Sequence, residues 1–300
     1  MRIIFCTNPL ENNKPDFGYE KEYDFAKACG FTVELFGFEE LTYNDNPIKA
    51  IKKISHSEKK ETAIYRGWML KPQYYDKFYE ALKEKNIILI NNPAQYIHCH
   101  YFPASYEIIR DFTPFSIWLK KEDLNYDRIY EEIKKFGRKP VIIKDFVKSC
   151  KDRWEEACFI PDASDRDHVR KVVDRFLELQ GDDLNGGLVI REFIKLKFLT
   201  VCSKSSMPLS KEFRIFILDG KPLVILNYWD EGDYGDVMPE VSKILPVAEK
   251  IKSRFFTVDM GIKEDGEPVI IETGDGQVAG LPENADIMYF YGKISELMER

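Results

Sequence analysis

Alternating apolar and polar positions dominate the last third of the chain. Residues 210–229 (SKEFRIFILDGKPLVILNYW) and 255–282 (FFTVDMGIKEDGEPVIIETGDGQVAGLP) each contain two alternating segments around a tight turn. An Asp-Gly pair lies in each turn, at 219–220 and at 265–266. Asp-Gly between alternating apolar residues is a strong hairpin signal, because both residues of the turn need positive φ. The pattern therefore predicts two β-hairpins with such turns.

The N-terminal part alternates short apolar strands with amphipathic helices. The pattern predicts strands at 2–7, 31–38, 61–69 and 87–91, and helices at 18–28 and 72–85. We expect an α/β unit with a largely parallel sheet and right-handed crossovers. Asn8 and Pro9 follow the first strand in place of a GxGxxG loop, so this unit lacks a dinucleotide-binding fingerprint.

The middle of the chain predicts a second mixed unit. The pattern predicts helices at 126–136 and from Ser164 onward, and a last helix at 285–299. It predicts strands at 140–146, 157–160 and 188–194, and a loop at 150–158. Ser164 with Asp167 three residues later resembles a capping box, which places the start of its helix.

Charged residues interrupt the apolar hairpins, where a buried strand does not normally hold them. Glu212 and Arg214 lie in the first hairpin, and Asp259 and Glu272 lie on partner strands of the second. With a turn at 264–266, Asp259 and Glu272 stand at comparable distances from it and face the same side. Two uncompensated carboxylates so close would repel each other, so we expect Mg²⁺ between them. Arg214 is expected to bind an anion, either phosphate or a buried carboxylate.

Two lysines flank the end of the strand at 140–146. Lys144 follows Val-Ile-Ile in a buried strand, where an unpaired charge is costly. Lys148 stands four positions further on, so both ammonium groups could reach one polyphosphate. A solvated strand edge is the alternative, since lysine commonly protects such edges. Lys151 and Arg153 in the following loop could close over the phosphates.

Four segments in this order resemble the ATP-grasp superfamily of carboxylate–amine ligases, and in particular one bacterial and phage clade. They are residues 140–160, 188–196, 211–221 and 258–282. The resemblance spans roughly residue 114 to the C-terminus, and more loosely the N-terminal part. It implies an α/β (α+β) ATP-grasp fold with a pre-ATP-grasp α/β domain at 1–112, a small lid subdomain at 113–190 and a large subdomain at 191–300.

The resemblance also implies ATP and Mg²⁺ as cofactors and assigns roles to residues. Phosphate would be held by Lys144, Lys148 and Arg214, and Lys144 and Arg214 would also be catalytic. The hinge that binds adenine through its backbone would consist of Glu192, Phe193 and Ile194, and Glu212 would contact ribose or adenine. The metal would be bound by Asp259 and Glu272. Gly274 stands where the superfamily usually has a third ligand, Asn, so either Asp275 or water would complete the site. Arg66 and Trp229 are candidate substrate contacts.

The expected reaction joins a carboxylate to an amine through an acylphosphate, and the substrates would be small molecules or peptides. Two alternatives stay open. A non-catalytic nucleotide-binding or scaffold protein on the same fold would have lost its metal ligands, yet Asp259 and Glu272 are present. The string KEDG at 263–266 matches the KxDG motif of covalent nucleotidyltransferases, but a hairpin turn would leave Lys263 solvated.

Composition and charge limit the kinds of partner and the cellular location that we expect for this protein. The 300 residues carry a formal net charge of −7, and the pI near 5.4 argues against a non-specific nucleic-acid binder. No apolar run approaches the ~20 residues of a membrane span, and the N-terminus lacks a signal-peptide core, so we expect a cytoplasmic protein. A homodimer stays open. The six cysteines lack CxxC spacing, and adjacent residues such as those of His98-Cys99-His100 rarely converge on one zinc ion.

Overall fold

The computed structural model describes residues 1–203, 207–235, 237 and 239–298. These residues form three four-stranded sheets and a small two-stranded sheet, with helices packed around them. The mixed α/β class predicted from the pattern is confirmed. Within the described ranges, no helix has both the length and the apolar character that crossing a bilayer requires.

The first sheet is parallel throughout, as the N-terminal pattern predicts. Its strands run in the order β2-β1-β3-β4. They are β1 (Arg2–Cys6), β2 (Thr32–Phe36), β3 (Glu61–Arg66) and β4 (Ile87–Leu89), and they alternate with helices α1 (Glu20–Ala28), α2 (Phe38–Thr42), α3 (Pro47–Ala50) and α4 (Pro72–Lys83). Because parallel strands end at one edge of a sheet, the segments that follow β3 and β4 emerge side by side.

A helical connection leaves this edge directly after β4. Helix α5 (Pro93–His100) begins with a capping box between Asn92 and Gln95, and α6 (Phe102–Ile109) follows it. Asn91, just before the cap, is fully buried. Its Nδ2 donates to the carbonyl of Phe255 and to Asp275 Oδ2, both at 2.6 Å. Its Oδ1 accepts the backbone N–H groups of Arg254 and Phe255.

The second sheet is antiparallel, with strand order β5-β8-β6-β7. In chain order its elements are β5 (Ser116–Lys120), α7 (Tyr126–Ile133), β6 (Val141–Lys144), α8 (Trp154–Ala157), β7 (Phe159–Ile160), α9 (Arg166–Gln180) and β8 (Gly187–Glu192). The apolar faces of α7 and α9 pack against Ile143 and Ile190 in one buried cluster. This unit therefore has a core of its own.

The third sheet carries the predicted hairpins in the order β12-β11-β13-β14. After the two-stranded sheet of β9 (Phe198–Val201) and β10 (Pro208–Ser210) come β11 (Glu212–Leu218), β12 (Lys221–Asn227), α10 (Leu245–Ala248), β13 (Phe255–Ile262), β14 (Pro268–Asp275) and α11 (Ile287–Met298). Helix α11 packs Phe290, Tyr291 and Ile294 against both this sheet and the N-terminal sheet. The first and third sheets thus share a core.

The two hairpin turns differ from each other. Asp219 (φ 48°) and Gly220 (φ 76°) both have positive φ, as predicted. In the second turn Gly266 (φ 91°) has positive φ and Asp265 does not. The N–H of Gly266 donates to the carbonyl of Lys263, which is the pattern of a longer loop that ends on a left-handed glycine. The expectation of two identical turns is wrong for the second hairpin.

Three other boundaries differ from the prediction. The loop at 150–158 contains the four-residue helix α8. Helix α9 begins after Asp165, whose side chain accepts the N–H of His168, so Ser164 is not its cap. The last helix begins at Ile287 rather than at 285, and Glu299 lies outside the described residues. The domain boundaries at 112 and 190 stay predictions, and the second one falls inside β8.

Candidate active site

Three charged residues stand side by side on adjacent strands of the third sheet. Asp259 on β13 lies opposite Glu272 on β14, and it lies opposite Arg214 on β11. A β-bulge follows Asp259 and shifts the register beyond it. The pairing of the two carboxylates agrees with the distance from the turn that the sequence indicates. All three residues line one cavity of about 410 Å³.

Each carboxylate has a cationic partner. Arg214 donates Nε and Nη2 to the two carboxylate oxygens of Asp259, both at 2.8 Å. Lys144, at the end of β6, donates Nζ to Glu272 Oε2 at 2.6 Å. The expectation that the carboxylates are uncompensated and repel each other is therefore wrong. The ion pair of Lys144 also joins the second sheet to the third.

The surrounding charges set the protonation state of these groups. Burial alone would raise the pKa of Glu272, but Lys144, Lys151 and Arg214 outweigh it and lower that pKa to about 2. Burial lowers the pKa of Lys151, and the acidic and phenolic groups facing it, Tyr228 and Glu212 first, outweigh that and raise it. Glu272 and Lys151 are therefore both ionised at neutral pH.

A turn shaped by a buried aspartate positions the second lysine. Asp145 is fully buried. Its Oδ1 accepts the N–H groups of Val147 and Lys148, and its Oδ2 accepts the backbone and side-chain N–H groups of Asn185. Such an aspartate turn fixes the backbone beyond the strand. Lys148 is exposed and lines the same cavity as Asp259 and Glu272.

The structure brings Lys151 to the centre of the site. Its Nζ lies 5.3 Å from the ring centre of Tyr228 and 5.5 Å from that of Trp229. It lines both the polar cavity and a neighbouring cavity. From the sequence, Lys151 is predicted only as a loop residue that could close over the phosphates. Arg153 lines neither cavity among the described residues.

The neighbouring cavity is mostly apolar and measures about 420 Å³. Its wall includes the predicted hinge residues Glu192, Phe193 and Ile194, together with Ile142, Trp154, Phe159, Arg191, Leu209, Trp229 and Ile271. The N–H of Phe193 donates to the carbonyl of Pro140, and the Glu192 side chain pairs with Lys139 at 2.8 Å. Within the described part of the chain, the backbone N–H and C=O of Ile194 bond to no other backbone group.

Glu212 and Trp229 close the edge between the two cavities. Trp229 Nε1 donates to Glu212 Oε1 at 3.3 Å. Burial raises the pKa of Glu212, although Lys151 opposes this. Both residues line the apolar cavity, so Trp229 stands beside the hinge and not at a separate site.

One predicted site residue has another role. Arg66 is fully buried. It forms a two-pronged ion pair with Glu22, both bonds at 2.8 Å, and donates to the carbonyls of residues 276, 277 and 279. A side chain without exposed surface cannot contact a substrate, so the substrate role predicted for Arg66 is wrong. Its function is to hold the N-terminal unit against the loop after β14.

Asp275 lines the polar cavity, but its carboxylate is enclosed by hydrogen-bond donors. It is fully buried, and its oxygens accept from Asn91, Cys99 and Gln277. Burial raises its pKa to about 6 in spite of these donors. Both oxygens of Asp275 are engaged by donors in this structure, and the choice between Asp275 and water as the third ligand stays a prediction. No cluster of three or more Asp, Glu, His or Cys suited to a metal exists among the described residues.

The sequence predicts no function for His100. The residue is only 7% exposed, and its ring lies 5.0 Å from that of Tyr96. Burial, with Lys144 and Lys148 nearby, lowers the pKa of His100 to about 3, although Glu272 opposes this. The string His98-Cys99-His100 is the one sequence signal that marks this position, and it suggests a metal site rather than a neutral polar group. His100 is an uncharged polar group in the wall of the polar cavity.

Comparison with known proteins gives the family of this chain. Residues 135–294 match the profile described as ATP-grasp domain, R2K clade family 3. No curated protein matches the sequence.

Solved structures share the fold across nearly the whole chain. D-cycloserine synthetase DcsG superposes with a TM-score of 0.63 at 12% identity, covering 99% of this chain and 100% of its own. A RimK domain ATP-grasp protein from Sphaerobacter thermophilus gives 0.60 at 12% identity, covering 100% of both chains. D-alanine–D-alanine ligase from Bacillus anthracis, complexed with ATP, gives 0.57 at 17% identity, with 100% and 96% coverage. At these identities the likeness establishes the fold.

Proposed function

This chain belongs to the ATP-grasp family, R2K clade family 3, and from that membership we propose that it is an ATP-dependent ligase that joins a carboxylate to an amine. One observation carries the proposal. An apolar cavity at the hinge opens beside a cavity lined by lysine, arginine and paired carboxylates, and Lys151 lines both. Together they match the two chemically different ends of ATP.

The apolar cavity is suited to the adenine ring. Ile142 and Ile271 provide apolar surface on two different sheets, and Phe193 adds an aromatic wall. The backbone of Ile194 has a donor and an acceptor available for the edge of the base. Glu212, at the boundary between the cavities, is placed to accept from ribose hydroxyls. The hinge role predicted for residues 192–194 is thus part of the proposal.

The polar cavity is suited to the phosphates. Lys148, Lys151 and Arg214 line it, and Lys144 is bonded to Glu272 in its wall; cations of this kind bind phosphate oxygens strongly. The pairing of Lys144 with Glu272 and of Arg214 with Asp259 holds these groups in place before the nucleotide binds. In the proposed domain scheme, residues 113–190 form the lid over this site and residues 191–300 its base.

The carboxylate pair fits a magnesium ion. Mg²⁺ in nucleotide enzymes is bound by one or two carboxylates, while phosphate oxygens and water complete its shell. Asp259 and Glu272 supply two such carboxylates, from neighbouring strands and facing one cavity. Asp275, which also lines this cavity, or water would supply a third ligand. Bound there, the ion would neutralise charge on the phosphates during transfer.

The reaction would proceed in two steps. A substrate carboxylate oxygen attacks the γ-phosphorus, the bond from the γ-phosphorus to the bridging oxygen breaks, and ADP leaves. An amine then attacks the acylphosphate carbonyl, the carbon–oxygen bond breaks and inorganic phosphate departs. Lys144 and Arg214 stabilise the charge that develops on the transferring group, and the second unit excludes water above it.

Relatives of the same fold indicate the range of substrates. One solved structure is the ligase PsnB with a precursor peptide and AMPPNP, and another is the macrocyclase MdnC with its precursor peptide. We propose an amino acid, a peptide or a protein terminus as the substrate of this chain. A cytoplasmic location and a homodimer are retained as proposals.

A screen of amino acids and short peptides for ADP release in the presence of ATP and Mg²⁺ tests the ligase. ATP with Mg²⁺ should also raise the melting temperature, because a ligand that binds only the native state stabilises it. Lys144→Ala should remove most of that shift, and Lys134→Ala, which loses only a surface pair with Glu131, should retain it. No shift with any purine triphosphate at millimolar levels would overturn the assignment.

The two alternatives predict different products. A scaffold protein would bind ATP and release no ADP with any compound of the screen. A nucleotidyltransferase would retain labelled AMP after denaturation, and Lys263→Ala would abolish the label. Lys263 lies in the hairpin turn beside Asp265 at 3.6 Å and lines neither cavity, which favours the ligase.

A further inference from the structure

A second polar cavity adjoins the phosphate cavity on the side of the N-terminal unit. It measures about 350 Å³ and lies between the segment after β3, the junction of α5 and α6, and residues 180–185 at the end of α9. Its wall is formed by Met69, Leu70, Lys71, His100, Tyr101, Val147, Lys148, Gln180, Asp183 and Asn185. Four of these, Met69, His100, Val147 and Lys148, also line the phosphate cavity. The two cavities are therefore parts of one cleft.

His100 is the polar acceptor of this shared wall. Met69 and Val147 are apolar, and the lysine ammonium of Lys148 donates hydrogen bonds but accepts none. A neutral imidazole has one N–H donor and one lone pair. His100 is 7% exposed, and within the described residues its side chain makes no hydrogen bond. Buried polar side chains normally have partners, so an imidazole that is free at the mouth of two cavities is available to a ligand.

We propose that the cavity beyond His100 binds the amine substrate and that the imidazole of His100 accepts a hydrogen bond from the attacking amino group. The inference rests on the proposed ligase function and extends it to the second step. A carboxylate or phosphate would be bound by Lys148, whereas an amine needs an acceptor. Of the four residues that line both cavities, His100 is the one whose side chain offers a nitrogen acceptor at the junction.

The position of His100 fits the geometry of that step. In the proposed reaction, phosphate transfer occurs beside Glu272 and Lys144, and His100 lines the same cavity as Glu272, so the acylphosphate carbonyl would form within the cavity that His100 lines. The amine nitrogen attacks the carbonyl carbon, a carbon–nitrogen bond forms, and the phosphate leaves with the electron pair of the broken carbon–oxygen bond. The amine proton is carried away on the departing phosphate. His100 orients the nitrogen lone pair toward the carbonyl and is not consumed.

Packing holds the imidazole in this position. Tyr96 lies under the ring at 5.0 Å, and Tyr101 meets it nearly edge-on at 5.9 Å. The volume of the second cavity is near the low end of small-molecule sites, which favours an amino acid or the terminus of a peptide over a folded protein surface.

The first test uses His100→Leu and His100→Gln, with His56→Leu as a control for removal of an exposed imidazole. The twenty L-amino acids, D-alanine and glycylglycine are screened for ADP release with each protein. For a productive pair of compounds, His100→Leu should raise the KM for the amine about tenfold, a size typical of one lost hydrogen bond. His100→Gln, which retains an acceptor, should recover most of that loss. The KM for ATP and the ATP-dependent melting shift should stay within about twofold of wild type in all three variants.

The second test does not depend on turnover. The chain has four histidines, so the imidazole resonances of His100 are assigned by comparing wild type with His100→Gln. In the presence of AMPPNP and Mg²⁺, at least one of the same compounds should shift the His100 resonance and leave that of His56 in place. A His100 signal that none of them moves would overturn the inference.

The outcomes separate the inference from the ligase function. If wild type and His100→Leu release ADP with the same KM for the amine, the function stands and the inference is wrong. If an amine shifts the His100 resonance but no compound gives ADP, the binding site stands and the ligase proposal fails. If His100→Leu has a lowered melting temperature, His100→Gln and the resonance of wild type still decide the question.

Discussion

At the residue scale, the site is held by charge pairs that the proposed binding of ATP would rearrange. Arg214 is bound to Asp259, and Lys144 to Glu272. In the proposed complex, phosphates would compete for the cations, and a metal ion would compete for the carboxylates. The pairs keep buried charges neutralised in the free protein, since an uncompensated buried charge is costly, and would release them to the nucleotide.

Removal of Glu272 should destabilise the free protein. Lys144 is 4% exposed, and Glu272→Gln leaves it without its anion. We expect a loss of about 1–3 kcal/mol in the free energy of unfolding at pH 7, below the full value for a buried pair because Glu272 is partly exposed. Urea denaturation measures it, with Glu267→Gln, in a surface pair, as the control that should change little. Equal stability of Glu272→Gln and wild type would contradict the pairing.

Two carboxylates should give opposite pH dependences of stability. The pKa of Glu272 falls from 4.5 to about 2, so its contribution is present above pH 4.5 and is lost as the pH falls through 2. The pKa of Asp275 rises from 3.8 to about 6, so its contribution is present below pH 3.8 and is lost as the pH rises through 6.

The contribution of Asp275 to the free energy of unfolding can be measured at pH values at which the protein stays folded. Between pH 4.5 and 7.5, the unfolding free energy of wild type relative to Asp275→Asn should fall as the pH rises, by about 2 kcal/mol. The reason is that the folded state binds the Asp275 proton more tightly than the unfolded chain. Urea titrations at four pH values test this. A difference that is independent of pH would show that the carboxyl titrates normally.

The chemical residues were predictable in part. Charged positions inside apolar strands identified Arg214, Asp259, Glu272 and Lys144 as members of one site, because alternation and distance from the turn are local properties. The ion-pair partner of Lys144 was not predictable from the sequence, since Lys144 reaches Glu272 from another sheet, 128 positions away in sequence. For the same reason the sequence could not show that Arg66 is buried against Glu22.

At the scale of elements, the hairpin turns determine where the carboxylates stand. The second turn needs a left-handed residue only at Gly266. The sequence predicts the hairpin but not this turn type. An Asp-Gly pair is compatible with a turn in which both residues have positive φ and with a longer loop in which only the glycine does. Helix α8 was missed for a similar reason, since four residues are too few to show a helical period.

Glycine substitutions should distinguish turn from helix. Gly266→Ala places a Cβ in open space but at φ 91°, so strain should reduce the free energy of unfolding by about 1–2 kcal/mol. Gly292, within α11, also has open space and no positive φ, so Gly292→Ala should raise stability by about 0.5–1 kcal/mol. Thermal unfolding measures both. A stabilising Gly266→Ala would contradict the turn.

At the scale of the whole molecule, buried polar contacts unite the N-terminal unit with the third sheet. Arg66 reaches the loop after β14, and helix α11 packs between the two sheets. The sequence predicted the three units but not their contacts, because contacts between distant segments leave no local pattern. The N-terminal unit is thus a structural support of the site.

Arg66 should act on stability rather than on substrate affinity. Arg66→Met leaves Glu22 buried without its partner, so we expect a loss of about 3–5 kcal/mol in the free energy of unfolding. Arg254→Met, which removes a half-exposed pair with Asp219, should cost less than about 1 kcal/mol. Denaturation curves measure both. A stable Arg66→Met protein with a raised substrate KM would restore the substrate role that its burial excludes.

Asn91 limits how these units can be recombined. Its one side chain bonds to residues 254 and 255 at the start of β13 and to Asp275 at the end of β14, so it fixes both strands that carry the carboxylates. A chimaera that grafts the N-terminal unit of another ligase onto this sheet has to bring an amide to the same point. Without it, the graft leaves the carboxylate of Asp275 short of a donor, and the strands lose their common anchor. Substrate range in this protein is therefore easier to change within the cleft than by exchange of the whole N-terminal unit.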